Sequence, residues 1–134
     1  MRSMTTSPQL LAIFLSIRLL WSGLLQAQET LLTIEPTEGQ PRNSEGDIIE
    51  LKDGRLCLIY TRFTGGTSDH AAADLAMRTS RDRGKTWSPD QIVIRREGGN
   101  NVMSVSLLRL ADGRIALFYL RKRSLEDCRP IMRV

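Results

Sequence analysis

Short apolar runs alternate with turn signals along most of the chain. After residue 27, no stretch repeats apolar residues at the three- and four-residue spacing of an amphipathic helix over three turns, whereas short apolar runs bounded by Gly, Asp, Asn and Pro are typical of β-strands. The pattern therefore predicts an all-β fold. Strands are predicted at 47–51, 56–60, 75–79, 91–95, 106–110 and 115–119.

Two pairs of these strands are separated by an Asp-Gly turn. Asp53-Gly54 separates the first two runs, and Asp112-Gly113 separates the last two. Asp-Gly between apolar runs is a strong hairpin signal, because a two-residue turn needs residues that accept positive φ at both positions. Each pair of strands is therefore predicted to form a tight hairpin with both turn residues at positive φ.

The two hairpins belong to an internal repeat. Residues of the first recur in the second at a constant spacing of 59, and Met77-Arg78 recurs as Met132-Arg133 at a spacing of 55 because the intervening loop is shorter. Repeats of about 40–50 residues with several short strands each are typical of β-propeller blades. We therefore predict a partial propeller at 41–134, with blade one at about 41–95 and an incomplete blade two at about 102–134. The residues matched at a spacing of 59 are Leu51, Asp53, Gly54, Arg55, Tyr60 and Arg62 with Leu110, Asp112, Gly113, Arg114, Tyr119 and Arg121.

Two blades cannot close a propeller, which needs about four to eight of them. One apolar face is therefore expected to stay open unless oligomerisation covers it. The runs 56–60 and 115–120 are almost entirely apolar, which predicts strands covered on both faces. A stand-alone β-sandwich of about six strands is the alternative fold.

The start of the chain has the pattern of an export signal. Arg2 precedes the apolar stretch 10–25, and the small residue Ala27 stands at the predicted cleavage site. Arg18 interrupts this stretch, and the uninterrupted parts on either side are far shorter than the roughly 20 residues of a membrane span. We predict a cleaved signal peptide at 1–27 and a lead-in segment at 28–40, with the protein secreted or periplasmic and without a stable membrane anchor. A retained anchor is the alternative.

The composition limits the classes of partner. The chain has 19 basic and 15 acidic residues, a formal net charge of +4, and no run of consecutive basic residues longer than three, so no nucleic-acid partner is predicted. Most of the basic residues are arginines, whose planar fork suits carboxylates. With one histidine and two distant cysteines, the chain has no metal-ligand spacing, and neither a metal nor another cofactor is expected. A disulfide between Cys57 and Cys128 stays open.

The stretch from Ser80 to Trp87 has the form S-x-D-x-G-x-x-W. The side chains of Ser80 and Asp82 can bond the amides of a tight turn, Gly84 accepts a backbone angle that other residues resist, and Trp87 can fill the apolar layer beneath. This stretch resembles the Asp-box of sialidases and related BNR-repeat proteins. The resemblance implies a β-propeller of the sialidase type, six-bladed when complete, of which this chain covers roughly the first two blades. It also implies a structural role for the box.

The resemblance to sialidases extends over most of the chain after the lead-in segment and implies a site. In that family an early arginine and a second one from the next strand bind the substrate, and Arg42 and Arg62 match them. An aspartate in the following loop is the acid/base catalyst, and Asp69 matches it, with Asp74 as the alternative. Because Arg121 stands at the repeat position of Arg62, the latter could instead be a feature common to both blades.

The implied function is that of a retaining glycoside hydrolase acting on terminal, sialoside-like acidic sugars. Arginines hold the sugar carboxylate, a carboxylic acid protonates the leaving oxygen, and a tyrosine is the nucleophile in this family. Tyr60 and Tyr119 lie inside strand runs and do not match that tyrosine, so a complete site is not expected within these residues. The identity of the sugar stays open, as do two other functions: a non-catalytic propeller that binds a glycan or a protein, and a truncated gene product without independent function.

Overall fold

The computed structural model describes residues 29–97 and 99–134, so the predicted signal peptide lies outside the described residues. These residues contain seven β-strands and no helix, which confirms the all-β class. No helix in this part of the chain is therefore long and apolar enough to span a membrane. The strands are β1 (Arg42–Glu50), β2 (Leu56–Phe63), β3 (Ala73–Ser80), β4 (Gln91–Ile94), β5 (Asn101–Arg109), β6 (Ile115–Lys122) and β7 (Cys128–Arg133).

The strands form two antiparallel meanders within one seven-stranded sheet. In the first meander, β1 to β4 pair in chain order, and in the second meander, β5 to β7 do the same. The two meet where β3 pairs in parallel with β5 through Ala73 and Asn101. The two halves of the sequence repeat therefore form separate meanders of an open sheet.

Both Asp-Gly turns form, but each is a three-residue loop and not the predicted two-residue turn. The amide of Leu51 donates to the carbonyl of Arg55 at 2.7 Å, and the amide of Gly54 donates to that of Leu51 at 3.0 Å. Gly54 has a φ of +80°, whereas Asp53 is not at positive φ. This loop needs only one left-handed residue, so Asp53 instead accepts the Arg55 amide on Oδ1 at 3.2 Å. The loop at 110–114 repeats these hydrogen bonds.

Each meander also has a β-bulge at the same repeat position in its first strand. The pairing of β1 with β2 shifts at Glu45, and that of β5 with β6 shifts around Ser104, 59 residues later. Glu45 and Ser104 have positive φ values of 25° and 61°, which are uncommon for residues other than glycine. A bulge changes the direction of the side chains that follow it. The repeat therefore extends to irregularities of the backbone.

Several strands are longer than the apolar runs that predict them. β1 begins at Arg42, five residues before its apolar run, and β5 begins at Asn101 in the same way. Residues 128–133, which were not among the predicted strands, form β7 and pair with β6. Apolar runs mark only the part of a strand that packs on a core, whereas the backbone ladder continues past it.

The core consists of side chains from both meanders. Leu75 and Val102 are fully buried, and Tyr119 is nearly so, within one cluster that also contains Cys57. A smaller cluster surrounds Phe63. The structure has both cysteines as free thiols, and burial raises the pKa of the Cys57 thiol. Cys57 therefore packs as a small hydrophobic side chain.

The outer face of the second meander is open. Leu108, Phe118 and Met132 have 52%, 36% and 57% of their surface exposed. Phe118 lies directly across from Met132 in the pairing of β6 with β7, so the exposed side chains are neighbours. The prediction that 115–120 is covered on both faces is therefore wrong, whereas the predicted open apolar face is present.

Candidate functional site

Arg42 and Asp69 form an ion pair at the end of the sheet where β1 begins and β2 ends. Nη1 of Arg42 donates to Oδ1 of Asp69 at 2.6 Å and to the carbonyl oxygen of Thr67 at 2.9 Å. The guanidinium also lies over the ring of Phe63, 4.5 Å from its centroid, within the range of a cation–π contact. Because Phe63 is fully buried, its ring is a fixed platform for Arg42.

Asp69 lies on the loop 64–72 between β2 and β3. The amides of Thr64 and Gly65 both donate to the carbonyl of Ala72, at 2.8 and 3.1 Å, and close the base of the loop. A Cβ atom at Gly65 would lie only 2.8 Å from atoms of Ala72, so a larger residue does not fit there without a shift. The base of the loop is thus fixed, and its tip carries Asp69.

The second meander contacts the same loop from the other side. Nδ2 of Asn101 donates to the carbonyl oxygens of Asp69 and Ala71, at 3.0 and 2.9 Å. Nζ of Lys122 donates to the Asp69 carbonyl at 3.0 Å. Asn101 is only 1% exposed, so it anchors the loop to the interior. Asp69 is therefore flanked by one cation from each meander, Arg42 and Lys122.

Asp69 is held in its ionised form by these neighbours. The hydrogen bond from Arg42 and its charge lower the pKa of Asp69, and the charges of Lys122 and His70 act in the same direction. Its side chain is 58% exposed, so water screens part of this effect. In this arrangement Asp69 accepts hydrogen bonds and does not donate a proton. A role as general acid requires a change in its surroundings.

Arg62, the second arginine predicted to bind the substrate, does not join Arg42. Arg42 lies opposite Phe63 in the pairing of β1 with β2. Arg62 precedes Phe63, and successive side chains of a strand alternate between faces, so the two arginines lie on opposite faces of the sheet. Nε of Arg62 donates to Oε1 of Gln40 at 2.8 Å. The expectation of a shared carboxylate clamp is therefore corrected: this geometry does not bring the two guanidinium groups together.

Each meander instead has two arginines that share one carboxylate. The residues are Arg62, Arg78 and Asp90 in the first meander, and Arg121, Arg133 and Glu97 in the second. The arginines occupy equivalent positions of the repeat, at spacings of 59 and 55. Arg62 is therefore part of an arrangement common to both meanders, which was the alternative interpretation from the sequence.

Asp74, the alternative acid, is engaged elsewhere. Its Oδ1 accepts the backbone amide of Arg96 at 2.8 Å, and its position in β3 is opposite Arg62. His70 is exposed on the loop beside Asp69. Of the two aspartates that the sequence offers, Asp69 is the one that contacts Arg42.

The two tyrosines of the chain are buried. Tyr60 is 4% exposed and donates its hydroxyl to Oδ1 of Asp90 at 2.9 Å. Burial and this hydrogen bond raise the pKa of Tyr60. Tyr119 is 2% exposed within the core cluster. Neither hydroxyl is placed to attack a ligand at the surface.

The stretch 80–87, which resembles an Asp-box, forms a closed turn after β3. Oγ of Ser80 accepts the amide of Gly84 and donates to Oδ1 of Asp82, both at 2.8 Å. The Asp82 carboxylate accepts the amide and hydroxyl of Thr86 at 2.8 and 2.7 Å, and these bonds lower the pKa of Asp82 to about 2. Gly84 has a φ of +89°, and its carbonyl accepts Nε1 of Trp87 at 2.9 Å. The side chains of the box bond to one another, as a structural turn requires.

Three side chains of the site were not identified from the sequence: Phe63, Asn101 and Lys122. A signal for two of them was present, since Asn101 follows Arg42 by 59 residues and Lys122 follows Phe63 by the same number. The repeat thus places these two pairs at equivalent strand ends. It could not show that the loop 64–72 reaches from one strand end to the other.

Within residues 29–97 and 99–134, no group of three His, Cys, Asp or Glu side chains is arranged to hold a metal ion. No protein-family model matches the sequence, and no curated protein matches it.

Proposed function

We propose that this chain supplies the acidic-sugar-binding part of a sialidase-like, retaining glycoside hydrolase. The observation that carries the proposal is the contact between Arg42 and Asp69, which puts a guanidinium and a carboxyl group within the width of one ligand. An acidic sugar requires these two groups: a fork for its carboxylate and a proton donor for the leaving oxygen. The predicted signal peptide would bring the protein outside the cytoplasm, as a secreted or periplasmic protein.

The overall architecture that accompanies this proposal is a β-propeller of the sialidase type. Two observations support this architecture. The hairpin loops have the same hydrogen bonds in both meanders, and the bulges lie at the same repeat position. The Asp-box turn after β3 supports it as well. A propeller repeats one antiparallel meander around an axis. The open outer face of the second meander, with Phe118 and Met132, is where a further repeat would pack.

Binding of a sugar carboxylate to Arg42 begins with the displacement of Asp69. The Asp69 side chain is 58% exposed and that of Arg42 is 28% exposed, so the aspartate is the freer of the two. Arg42 keeps its contacts with the Phe63 ring and the Thr67 carbonyl when Asp69 leaves. The ligand carboxylate then takes the place of the Asp69 carboxylate on a guanidinium that is already oriented, which lowers the entropic cost of binding.

The same displacement prepares Asp69 to act as an acid. Away from Arg42 it loses the hydrogen bond and the charge that lower its pKa, and a nearby ligand carboxylate favours its protonated form. Protonated Asp69 can then donate to the leaving oxygen of the glycoside. Substrate binding and activation of the acid are thus coupled through Arg42.

Recognition without hydrolysis is a second candidate function. A specific observation favours it: both tyrosines of the chain are buried, so the chain does not offer the nucleophile that the family uses. Arg42 would bind an acidic glycan in the same way in either case.

A binding measurement tests the recognition step. We expect the full chain to bind a methyl sialoside, measured by calorimetry or ligand-observed NMR, and to bind a neutral hexoside at least about tenfold more weakly. Arg42→Gln should abolish the preference for the acidic sugar. Arg62→Gln is the matched control and should retain it, because Arg62 lies on the opposite face. Equal binding of both sugars, or loss of binding in Arg62→Gln alone, would contradict the proposal.

A turnover measurement separates the two candidate functions. Because a complete site is not expected within these residues, the full-length protein is incubated with a fluorogenic sialoside between pH 4 and 8, beside its Asp69→Asn variant. Release of the fluorophore that Asp69→Asn abolishes supports hydrolysis with Asp69 as the acid. Binding of the sialoside without release supports recognition alone.

A further inference from the structure

We propose that Lys122 is the second cation of this site and binds the anionic ligand together with Arg42. The inference rests on the proposed function. It assigns to a lysine of the second meander the role that the resemblance implies for Arg62. The ligand group concerned is the carboxylate of an acidic sugar.

Arg42 and Lys122 both donate a hydrogen bond to Asp69. Arg42 donates to the carboxylate of Asp69, and Lys122 donates to its carbonyl oxygen. Lys122 lies at the end of β6, opposite Asn101 of β5, which also donates to the Asp69 carbonyl. The charge of Lys122 also acts on the Asp69 carboxylate, so a ligand carboxylate that replaces this side chain on Arg42 lies within the influence of the Lys122 ammonium group.

The local charge requires such a cation. The guanidinium of Arg42 lies close to two carboxylates, Asp69 at 2.6 Å and Glu45 at 3.9 Å. With Arg42 as the sole cation, the site would carry a net negative charge and repel an acidic sugar. Lys122 balances the second carboxylate. Protonation of Asp69 then leaves one net positive charge for the ligand.

The ammonium group has hydrogen-bonding capacity to spare. It has three donors, and within the described part of the chain its hydrogen bond goes to the Asp69 carbonyl, with no acidic side chain in ion-pair distance. Lys122 is half-buried, so its charge is held near the loop and not free in solvent. It can therefore donate to a ligand carboxylate while it keeps the bond that holds the loop.

The test compares four forms of the full chain by calorimetric titration with a methyl sialoside: wild type, Lys122→Gln, Lys122→Arg and Lys85→Gln. We expect Lys122→Gln to raise the Kd about tenfold, the loss of one charge-assisted hydrogen bond. Lys122→Arg should restore most of the affinity, because it keeps the charge. Lys85→Gln removes the same charge from the exposed Asp-box turn and should leave the Kd unchanged.

A sugar in which an amide replaces the carboxylate separates ligand binding from support of the loop. If Lys122 binds the carboxylate, Lys122→Gln has little effect on the affinity for the amide sugar. An equal loss for both sugars overturns the inference and leaves Lys122 with a purely structural role. An unchanged Kd in Lys122→Gln, with binding lost in Arg42→Gln, overturns the inference and leaves the proposed function standing. Absence of sialoside binding by the wild-type chain overturns both.

Discussion

The two meanders share the features that stabilise each of them and differ at the candidate site. Both have a three-residue hairpin loop, a bulge in the first strand and two arginines that share one carboxylate. They differ in the loop before their third strands, which is 64–72 in the first meander and the shorter 123–127 in the second. In the shorter loop, Asp127 pairs with its neighbour Arg129, whereas Asp69 in the longer loop reaches an arginine of another strand.

This difference separates features of folding from features of function. What occurs in both meanders, such as the ion pairs of Arg62, is explained by the need to build the same unit twice. What occurs once is not explained by the repeat and needs a reason of its own. Arg42 and Lys122 are in this second group, because their repeat equivalents are Asn101 and Phe63. Each meander thus contributes one cation, from non-equivalent positions, and both cations meet at one loop.

The largest expected effect on stability concerns one position of the repeat, which is buried in the first meander and exposed in the second. Ile59 and Phe118 are equivalent at a spacing of 59, but Ile59 is 8% exposed and Phe118 is 36% exposed. Ile59→Ala should lower the free energy of unfolding by about 2–4 kcal/mol in urea titrations, because it leaves a cavity in the core. Phe118→Ala should lower it by about 1 kcal/mol or less. A loss as large as that of Ile59→Ala would show that another surface covers the outer face in solution.

A smaller effect, equal in both meanders, is expected at the hairpin loops. Gly54→Ala and Gly113→Ala put a Cβ atom on residues at φ values of +80° and +83°. Each substitution should cost about 1–2 kcal/mol of unfolding free energy, the cost of the left-handed conformation for an L-residue. Gly39→Ala is the control, since a Cβ atom there meets nothing within 4 Å. Clearly unequal losses at Gly54 and Gly113 would break the structural equivalence of the two loops.

The smallest effect on stability at neutral pH is expected in the turn 80–87, which follows β3. The pKa of Asp82 falls from its ordinary value near 4 to about 2 on folding, so its contribution to stability is present above about pH 4 and is lost as the pH falls toward 2. Asp82→Asn should remove that part of the acid dependence. Urea midpoints measured from pH 7 to pH 2 report it. An unchanged slope between pH 4 and 2 would show that the carboxylate does not hold the turn.

The positions of most strands along the chain were predictable because they depend on local patterns. Apolar runs and Asp-Gly turns located six strands, and the constant spacing of 59 revealed that one unit occurs twice. The proximity of Arg42 and Asp69 was also expected, from the resemblance to sialidases. The strands and the repeat need only the order and spacing of residues, whereas the expected proximity of Arg42 and Asp69 rests on the resemblance.

The placement of Arg42 and Arg62 on opposite faces of the sheet was not predictable from local patterns. The side of the sheet on which Arg42 lies depends on counting residues along β1, and the bulge at Glu45 adds one residue to that count. An Asp-Gly pair signals a turn in the sequence, but no comparable residue signals the bulge at Glu45. The prediction that β6 is covered on both faces was wrong for a related reason. An apolar run does not show whether another part of the chain packs against Phe118.

The sequence by itself determined the class of fold, the repeat and the positions of the two hairpin turns, because these follow from the local preferences of a few residues. Only the tertiary structure decided that Lys122 joins Arg42 at Asp69 and that Arg62 does not. Asp69, Arg42 and Lys122 are far apart along the chain and come together because the parallel contact of β3 with β5 joins the two meanders beside one loop. Such a meeting depends on strand register and on the path of the loop, and these are properties of the packed sheet as a whole.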